Sequence, residues 1–167
     1  MKRILLTGMS GTGKSALVRE SASLGYRAVD TDAGGWSVPP DGVARSGPVQ
    51  PDWIWDESKM RQLLSSERGH VLFVAGCVEN QGAFYASFDE IILLTAPPET
   101  IIERLSTRTS NPFGKSAAER AKVLDDQRQF EPVLRGGATR VIDTNRPLDQ
   151  VVLAILDCVG CSFEADD

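Results

Sequence analysis

Short, mostly apolar runs alternate along the chain with amphipathic stretches of helical spacing. Five of these runs have the length and apolar character of parallel strands covered on both faces, at residues 3–7, 26–30, 71–75, 91–94 and 139–142. Helices are predicted around them at residues 13–24, 57–67, 79–87, 98–107, 117–134 and 147–159. This alternation predicts an α/β domain in three layers, with a parallel sheet between two layers of helices.

Residues that favour the ends of helices stand at the predicted boundaries. Asp56 and Ser116 are of the types that cap a helix N-terminus. Pro98 suits the first turn of a helix, and Pro147 opens the last one. These positions support the predicted helices independently of their apolar spacing.

The segment from Thr31 to Asp56 breaks the alternation. It is rich in Gly and Pro and holds all three tryptophans, Trp36, Trp53 and Trp55. A long irregular segment within a compact domain is usually functional or disordered, and the tryptophans argue against disorder. They either form a flat apolar wall for a bound ring or anchor the segment to the domain.

Composition and charge exclude several classes of protein. A chain of 167 residues fits one domain, predicted to span residues 1–167. The net charge of −5 gives no basic excess, so we expect no nucleic-acid partner. No run approaches the roughly 20 apolar residues of a membrane span, and the N-terminal apolar run is too short for a signal peptide.

The cysteines indicate a reducing compartment. Cys77, Cys158 and Cys161 are odd in number and irregular in spacing, which is not a disulfide framework. A lone CxxC supplies at most two zinc ligands, so Cys158 and Cys161 are interpreted as small apolar residues of the last helix. We expect a soluble cytoplasmic protein with no membrane partner.

Residues 8–15 read Gly-Met-Ser-Gly-Thr-Gly-Lys-Ser, the phosphate-binding pattern GxxxxGK[ST] between a strand and a helix. Its glycines let successive backbone N–H groups turn toward one anion, and the helix N-terminus adds a positive dipole end. Lys14 brings a charge to the phosphates, and the Ser15 hydroxyl can bind Mg²⁺. The predicted nucleotide contacts here are Gly8, Ser10, Gly11, Thr12, Gly13, Lys14, Ser15 and Ala16.

Two carboxylates, Asp30 and Asp32, follow the second predicted strand. Ligands of open parallel sheets bind at the carboxyl ends of the strands. If the second strand joins the same sheet as the first, one carboxylate can assist Mg²⁺ and the other can accept a proton from an attacking hydroxyl. The alternative is a polar strand end or a helix cap.

Residues 8–15 together with residues 24–32 resemble the small P-loop kinases, which include shikimate, gluconate, dephospho-coenzyme A and adenylate kinases. The resemblance follows the order of elements along nearly the whole chain. It implies a five-stranded parallel sheet in the order 2-3-1-4-5, with ATP and Mg²⁺ as cofactors. It further implies transfer of the γ-phosphoryl group to a small-molecule acceptor, with Asp30 near the metal and Asp32 as acceptor ligand and base. Monomer and homodimer both stay open.

The resemblance also suggests which residues contact the acceptor. Gly76 stands where shikimate kinase has a glycine-rich turn, but the other glycines of that turn are missing, which counts against shikimate itself. Its polar neighbours either contact the acceptor or only begin a helix. The predicted acceptor contacts lie in two regions, an insertion at about residues 31–56 and the stretch after the third strand. They are Asp32, Trp36, Trp53, Gly76, Glu79, Asn80 and Gln81.

Further matches lie in the second half of the chain. Arg104 and Arg108 are similar to family arginines that stack on adenine or grip phosphates, or else they form an exposed charged face. Residues 108–116 resemble a short lid that closes over the transferring phosphate. The resemblance implies that Thr144, Arg146 and Pro147 belong to a loop that holds adenine, and the alternative is an ordinary turn. It also implies that the catalytic residues are Lys14, Asp32 and Arg108.

The function implied first is therefore a kinase with a hydroxyl acceptor. A nucleoside monophosphate kinase is the nearer alternative, but such enzymes usually present arginines to the acceptor phosphate. The other alternative is a nucleotide-binding regulatory ATPase without a small-molecule acceptor, whose tryptophan-rich segment would bind a protein. An acceptor pocket beside Asp32 lined by tryptophans would favour the kinase.

Overall fold

A parallel sheet of five strands lies at the centre of the structure, a computed structural model that describes residues 1–41, 53–66, 68–109 and 112–160. The strands are β1 (Lys2–Thr7), β2 (Arg27–Asp30), β5 (Val71–Ala75), β6 (Glu90–Thr95) and β7 (Arg140–Asp143). They lie in the order β2-β5-β1-β6-β7, with every neighbouring pair parallel. Counted within this sheet alone, that is the predicted order 2-3-1-4-5.

A second, much smaller sheet was not predicted. Strands β3 (Ser37–Val38) and β4 (Ile54–Trp55) pair antiparallel, with Ser37 opposite Trp55 and Val38 opposite Ile54. The predicted five-stranded sheet is confirmed, and only this additional pair was missed, because strands of two residues are too short to show a period in the sequence. The pair joins the two ends of the segment predicted to hold an acceptor, whose residues 42–52 lie outside the described part of the chain.

The helices lie close to their predicted positions. They are α1 (Lys14–Ser23), α2 (Glu57–Ser65), a 3-10 helix (Glu79–Ser87), α3 (Pro98–Thr107), α4 (Ala117–Gly137) and α5 (Leu148–Val159). The largest difference is in α4, which runs through Pro132 and ends at Gly137 instead of Leu134. None of the helices in the described ranges is long and apolar enough to cross a membrane.

Both predicted N-caps are confirmed. The Asp56 carboxylate accepts a hydrogen bond from the Lys59 N–H at 3.1 Å at the start of α2. At the start of α4 the Ser116 hydroxyl accepts from the Glu119 N–H, and the Glu119 carboxylate accepts from the Ser116 N–H, each at 3.1 Å. The backbone N–H of Ser116 lowers the pKa of Glu119, because it stabilises the ionised carboxylate.

The sheet buries an apolar cluster on each face. Because successive residues of a strand point to opposite faces, Ile4 and Leu6 join α1 and α5 while Leu5 joins α2 and the 3-10 helix. Cys158 packs against the first cluster, and its CxxC partner Cys161 lies outside the described residues. The second cluster contains Leu5, Trp55, Met60, Leu63, Leu64, Leu72, Val74, Phe84, Phe88 and Ile91. The two clusters confirm the three-layer arrangement.

We expect the Asp56→Ala variant to lose about 1 kcal/mol of unfolding free energy, because the first turn of α2 loses its side-chain acceptor. Urea unfolding followed by far-ultraviolet circular dichroism measures the loss. Ser58→Ala is the control, since Ser58 is exposed in the same helical turn. A loss for Asp56→Ala no larger than for Ser58→Ala would contradict the capping role.

Candidate functional site

The loop at residues 8–13 joins β1 to α1 at the carboxyl end of the sheet. Gly8 has a φ of 150°, and a Cβ there would stand 2.5 Å from the Leu94 carbonyl oxygen, so the loop lies directly on β6. Gly13 precedes α1 with a φ of 100° and caps it with no side chain. The first N–H groups of α1 therefore have no intrahelical or capping acceptor, which makes them an anion site.

Lys14 bends back over this loop. Its ammonium donates to the carbonyl oxygens of Gly8 at 2.6 Å and Met9 at 3.1 Å, and the residue is only 8% exposed. The Thr12 hydroxyl also donates to the Met9 carbonyl, at 2.7 Å. The loop is thus held by its own hydrogen bonds, with a positive charge fixed at its centre.

A cleft of about 480 Å³ opens in front of the loop. Of the predicted nucleotide contacts, all but Gly8, Thr12 and Pro147 line it, and so do the three predicted catalytic residues. Among its described lining residues Asp32 is the one carboxylate, and the cations are Lys14, Arg19, Arg104, Arg108 and Arg146. A protein of negative net charge therefore presents a positive cleft, which suits a polyphosphate.

Arg104 connects three parts of the cleft wall. Its guanidinium donates to the Gly11 carbonyl at 3.3 Å and to the hydroxyl and carbonyl of Thr144 at 2.9 and 2.6 Å. The Thr144 hydroxyl in turn donates to the Thr12 carbonyl at 2.8 Å. Burial lowers the pKa of Arg104, and nearby Asp143 opposes this. Arg104 thus holds the loop after β7 against the phosphate-binding loop, and its contact with a nucleotide stays a prediction.

The predicted lid lies against the end of α3. Arg108 donates to the Phe113 carbonyl at 2.7 Å, and Lys115 donates to the Ser106 carbonyl at 2.9 Å. Gly114 is buried against Leu105, where a Cβ would come within 3.0 Å of that side chain. Asn111, also assigned to the lid, lies outside the described residues. That this segment closes over a phosphate remains a prediction.

Asp30 and Asp32 face different surroundings. Asp30 ends β2 opposite Ala75, and its carboxylate accepts the Asp32 N–H at 3.0 Å, whereas Asp32 lines the cleft. The cleft walls desolvate the Asp32 carboxyl and raise its pKa, although water reaches its surface. Lys14 opposes this rise, Asp30 adds to it, and Arg108 opposes it.

The residues in the cleft fit Mg²⁺ bound together with a nucleotide. The Ser15 hydroxyl lines the cleft, and phosphate oxygens and water would complete an all-oxygen donor set. Within the described ranges no group of three or more His, Cys, Asp or Glu residues is arranged to hold a metal by itself. Asp30, predicted to lie near the metal, is engaged with the Asp32 backbone and does not line the cleft.

The predicted acceptor contacts other than Asp32 do not line this cleft. Both groups of the Asn80 amide bond to the backbone of Trp55, at 3.0 and 3.1 Å. The buried Gln81 amide accepts from the Val78 N–H at 3.1 Å and donates to the Tyr85 hydroxyl at 2.8 Å. Their geometry favours a role inside the fold over contact with an acceptor. The predicted contacts outside the cleft lining are Trp36, Trp53, Gly76, Glu79, Asn80 and Gln81.

Two residues of this region, Arg19 and Thr31, were given no role from the sequence, and Trp55 has the anchoring role that was one of the two alternatives for the tryptophans. Arg19 lines the cleft, and its spacing of four from Ser15 on α1 was a signal for a shared face. Thr31 and Trp55 are buried at 3% and 0% exposure and bond to each other. The position of Thr31 between two carboxylates, at the end of a strand whose side chains alternate in direction, was the signal for an inward hydroxyl.

Comparison with known proteins identifies relatives of matching fold and sequence. The AAA domain family matches residues 4–125. A nucleotide-binding protein of Desulforamulus reducens is 29% identical over 157 residues, covering 85% of this chain and 46% of that protein. A nucleotide-binding protein of Koribacter versatilis is 29% identical over 154 residues, covering 86% and 44%. The chain therefore spans about half the length of the curated relatives it matches.

Solved structures show the same fold. Shikimate kinase from Acinetobacter baumannii in complex with shikimate superposes with a TM-score of 0.63 at 20% identity, covering 96% of this chain and 94% of that one. A gluconokinase from Sinorhizobium meliloti gives a TM-score of 0.62 at 19% identity, covering 95% and 91%. The resemblance to the small P-loop kinases is thereby confirmed at the level of fold.

We expect Lys14→Met to weaken nucleotide binding by about tenfold to a hundredfold, because a charge-assisted hydrogen bond is worth about 1.5–3 kcal/mol. Isothermal titration with ATP and Mg²⁺ measures the change in Kd. Lys122→Met is the matched control, since Lys122 is exposed on α4 and pairs with Asp126. Equal affinity of Lys14→Met and Lys122→Met would show that the cleft is not the nucleotide site.

Proposed function

The chain belongs to the AAA domain family, and from that premise we propose that it is an ATP-dependent kinase of a small molecule bearing a hydroxyl group. The observation that carries the proposal is Asp32, a carboxylate that faces the same cleft as Lys14 and Arg108. Nucleotide binding alone needs no carboxylate at that place, whereas phosphoryl transfer uses one to orient the attacking group.

Each charged or polar side chain of the cleft has a separate role in the proposed reaction. Lys14 and the N–H groups at the start of α1 hold the β- and γ-phosphates, and Ser15 lies where it would hold Mg²⁺. The bound ion would supply charge neutralisation on the phosphate oxygens. Arg108 stabilises the charge that spreads over the transferring group.

Asp32 acts on the acceptor. As the acceptor oxygen forms its bond to the γ-phosphorus, the bond from that phosphorus to the β,γ-bridging oxygen breaks and ADP leaves. The hydroxyl proton passes to the Asp32 carboxylate, which must be ionised to receive it. Its position in a walled cleft beside Lys14 holds the carboxylate near the phosphates.

A second candidate is a nucleotide-binding regulator with no small-molecule acceptor. It is favoured by one observation: among its described lining residues the cleft holds no tryptophan. Asn80 and Gln81 are bonded within the fold, so Asp32 is the one predicted acceptor contact that the described cleft presents. The names of the curated relatives go no further than nucleotide binding.

An ADP-release assay with ATP and Mg²⁺ separates these candidates. We expect one member of a panel of nucleosides, nucleoside monophosphates, sugars, shikimate, gluconate and aminoglycosides to raise ADP release. Asp32→Asn should reduce that stimulated rate by about a hundredfold to ten-thousandfold, the usual contribution of a general base. Asp125→Asn, an isosteric change on the exposed face of α4, should not.

Two results would contradict the kinase. If the nucleotide binds and no acceptor raises ADP release, the second candidate is supported instead. If an acceptor stimulates turnover equally in the wild type and Asp32→Asn, the carboxylate has no part in the transfer.

The pH dependence of the reaction should reflect the surroundings of Asp32. Activity requires the ionised carboxylate, so it falls as the pH drops through the pKa of Asp32. Because the cleft walls desolvate the carboxyl and raise that pKa, we expect the acid limb of kcat above the ordinary aspartate value of about 3.9. Arg108→Gln should move the limb higher, since the guanidinium lowers this pKa. A pH series of kcat tests this, and an acid limb that persists unchanged in Asp32→Asn would contradict it.

A further inference from the structure

The hydroxyl of Thr31 is fully engaged between two buried partners. The indole Nε1 of Trp55 lies 2.9 Å from it, and the Ala75 carbonyl oxygen lies 2.7 Å from it. An indole N–H only donates and a carbonyl only accepts, so the hydroxyl accepts from Trp55 and donates its own hydrogen to Ala75. The Thr31 N–H also donates to that carbonyl, at 2.9 Å. The direction of the Thr31 side chain is therefore fixed.

Trp55 is itself held from several sides. Its ring is fully buried and meets the Phe84 ring edge to face, with centroids 5.7 Å apart. Its backbone N–H and carbonyl both bond to the Asn80 side chain, which takes the place of a neighbouring strand. Trp55 thus brings a fixed hydrogen-bond donor from the far end of the irregular segment to Thr31.

Gly76 leaves the space in which these two side chains meet. A Cβ at this position would stand 2.1 Å from the Thr31 hydroxyl oxygen and 3.0 Å from Cζ2 of Trp55. The first distance is closer than a Cβ tolerates and the second is tight, so Gly76 is needed for an internal contact. This accounts for the glycine without the acceptor contact predicted from its position in the sequence.

We propose that Trp55 and Thr31 are positioning residues, whose hydrogen bond holds Asp32 in the cleft for the transfer step. Thr31 stands between the two carboxylates, and its inward direction fixes the turn in which Asp30 accepts the Asp32 N–H. That turn places Asp32 opposite the charges that face it, which are Lys14, Asp30 and Arg108. The role of Asp32 in catalysis rests on the proposed function, whereas its placement by Thr31 does not.

The test uses three variants of the whole chain. Thr31→Val removes the hydroxyl with little change of shape, and Thr31→Ser keeps it. Thr139→Val is the control, because the Thr139 hydroxyl also accepts from an N–H, that of Ile91 at 2.9 Å, and donates to an oxygen, that of the Glu90 carboxylate. Thr139 precedes β7 and so lies at the end of the sheet opposite the cleft.

The first readout is the titration of the Asp32 carboxyl, which carbon-13 NMR measures. It needs no turnover, so it remains informative if the proposed function fails. We expect Thr31→Val to move the Asp32 titration away from that of the wild type, because a displaced carboxyl changes its distances to Lys14, Asp30 and Arg108. Thr31→Ser and Thr139→Val should titrate like the wild type, even where Thr139→Val lowers the unfolding temperature.

The second readout is turnover with the acceptor found in the panel. We expect Thr31→Val to lower kcat by about tenfold to a hundredfold, as misplacement of a reacting group does. The Kd for ATP should be unchanged, since the phosphate-binding loop is held by separate bonds. Thr31→Ser should restore kcat.

Two results would overturn the proposal. One is an Asp32 titration in Thr31→Val that matches the wild type, and the other is an equal displacement in Thr139→Val. Should Thr31→Val fail to fold, Trp55→Phe is titrated instead, because it keeps an aromatic ring beside Phe84 and removes the indole N–H that Thr31 accepts. The same two results, obtained with Trp55→Phe in place of Thr31→Val, would then overturn the proposal. Absence of turnover in the wild type would contradict the proposed function alone.

Discussion

The cleft depends on how closely the phosphate-binding loop lies against the sheet. Gly8 lies so close to the Leu94 carbonyl that no side chain would fit there. The loop is also held by hydrogen bonds from Thr144 to the Thr12 carbonyl and from Arg104 to Thr144. With the loop fixed in this way, α1 starts at the carboxyl end of β1 with uncapped N–H groups. The cations among the described lining residues all face the cleft that opens there, which explains how a chain of negative net charge concentrates positive potential at one place.

The main sheet and its helices were predictable because each was marked twice in the sequence. The strands are apolar on both faces, and the helices carry caps such as Asp56 and Ser116 beside their periodic apolar positions. The small sheet of β3 and β4 carried neither mark. Its pairing joins residues far apart in the chain, and it depends on Trp55 finding Asn80 and Thr31.

The candidate site was predictable to the extent that it belongs to one short motif. The phosphate-binding loop and Asp32 were found in the sequence because their residue types and context point to one chemistry. Asn80 and Gln81 show where this fails. An amide side chain serves equally well as a ligand contact and as an internal hydrogen-bonding group. Here Asn80 bonds to the backbone of Trp55, which is distant in the sequence, and Gln81 bonds to the Tyr85 hydroxyl, a contact that depends on the fold. Gly76 is a similar case. A glycine is needed there because the side chains of Thr31 and Trp55 meet beside it, and these two residues are far apart in the sequence.

The position of the tryptophans has an optical consequence. All three lie between residues 36 and 55, one fully buried and two partly exposed, so the tryptophan fluorescence of the protein arises from a single segment. Helical circular dichroism reports instead on α1 to α5, which are spread over the whole sheet. A change in emission therefore follows the local order of that segment, and agreement between the two signals becomes a direct measure of whether the segment and the sheet unfold as one cooperative unit.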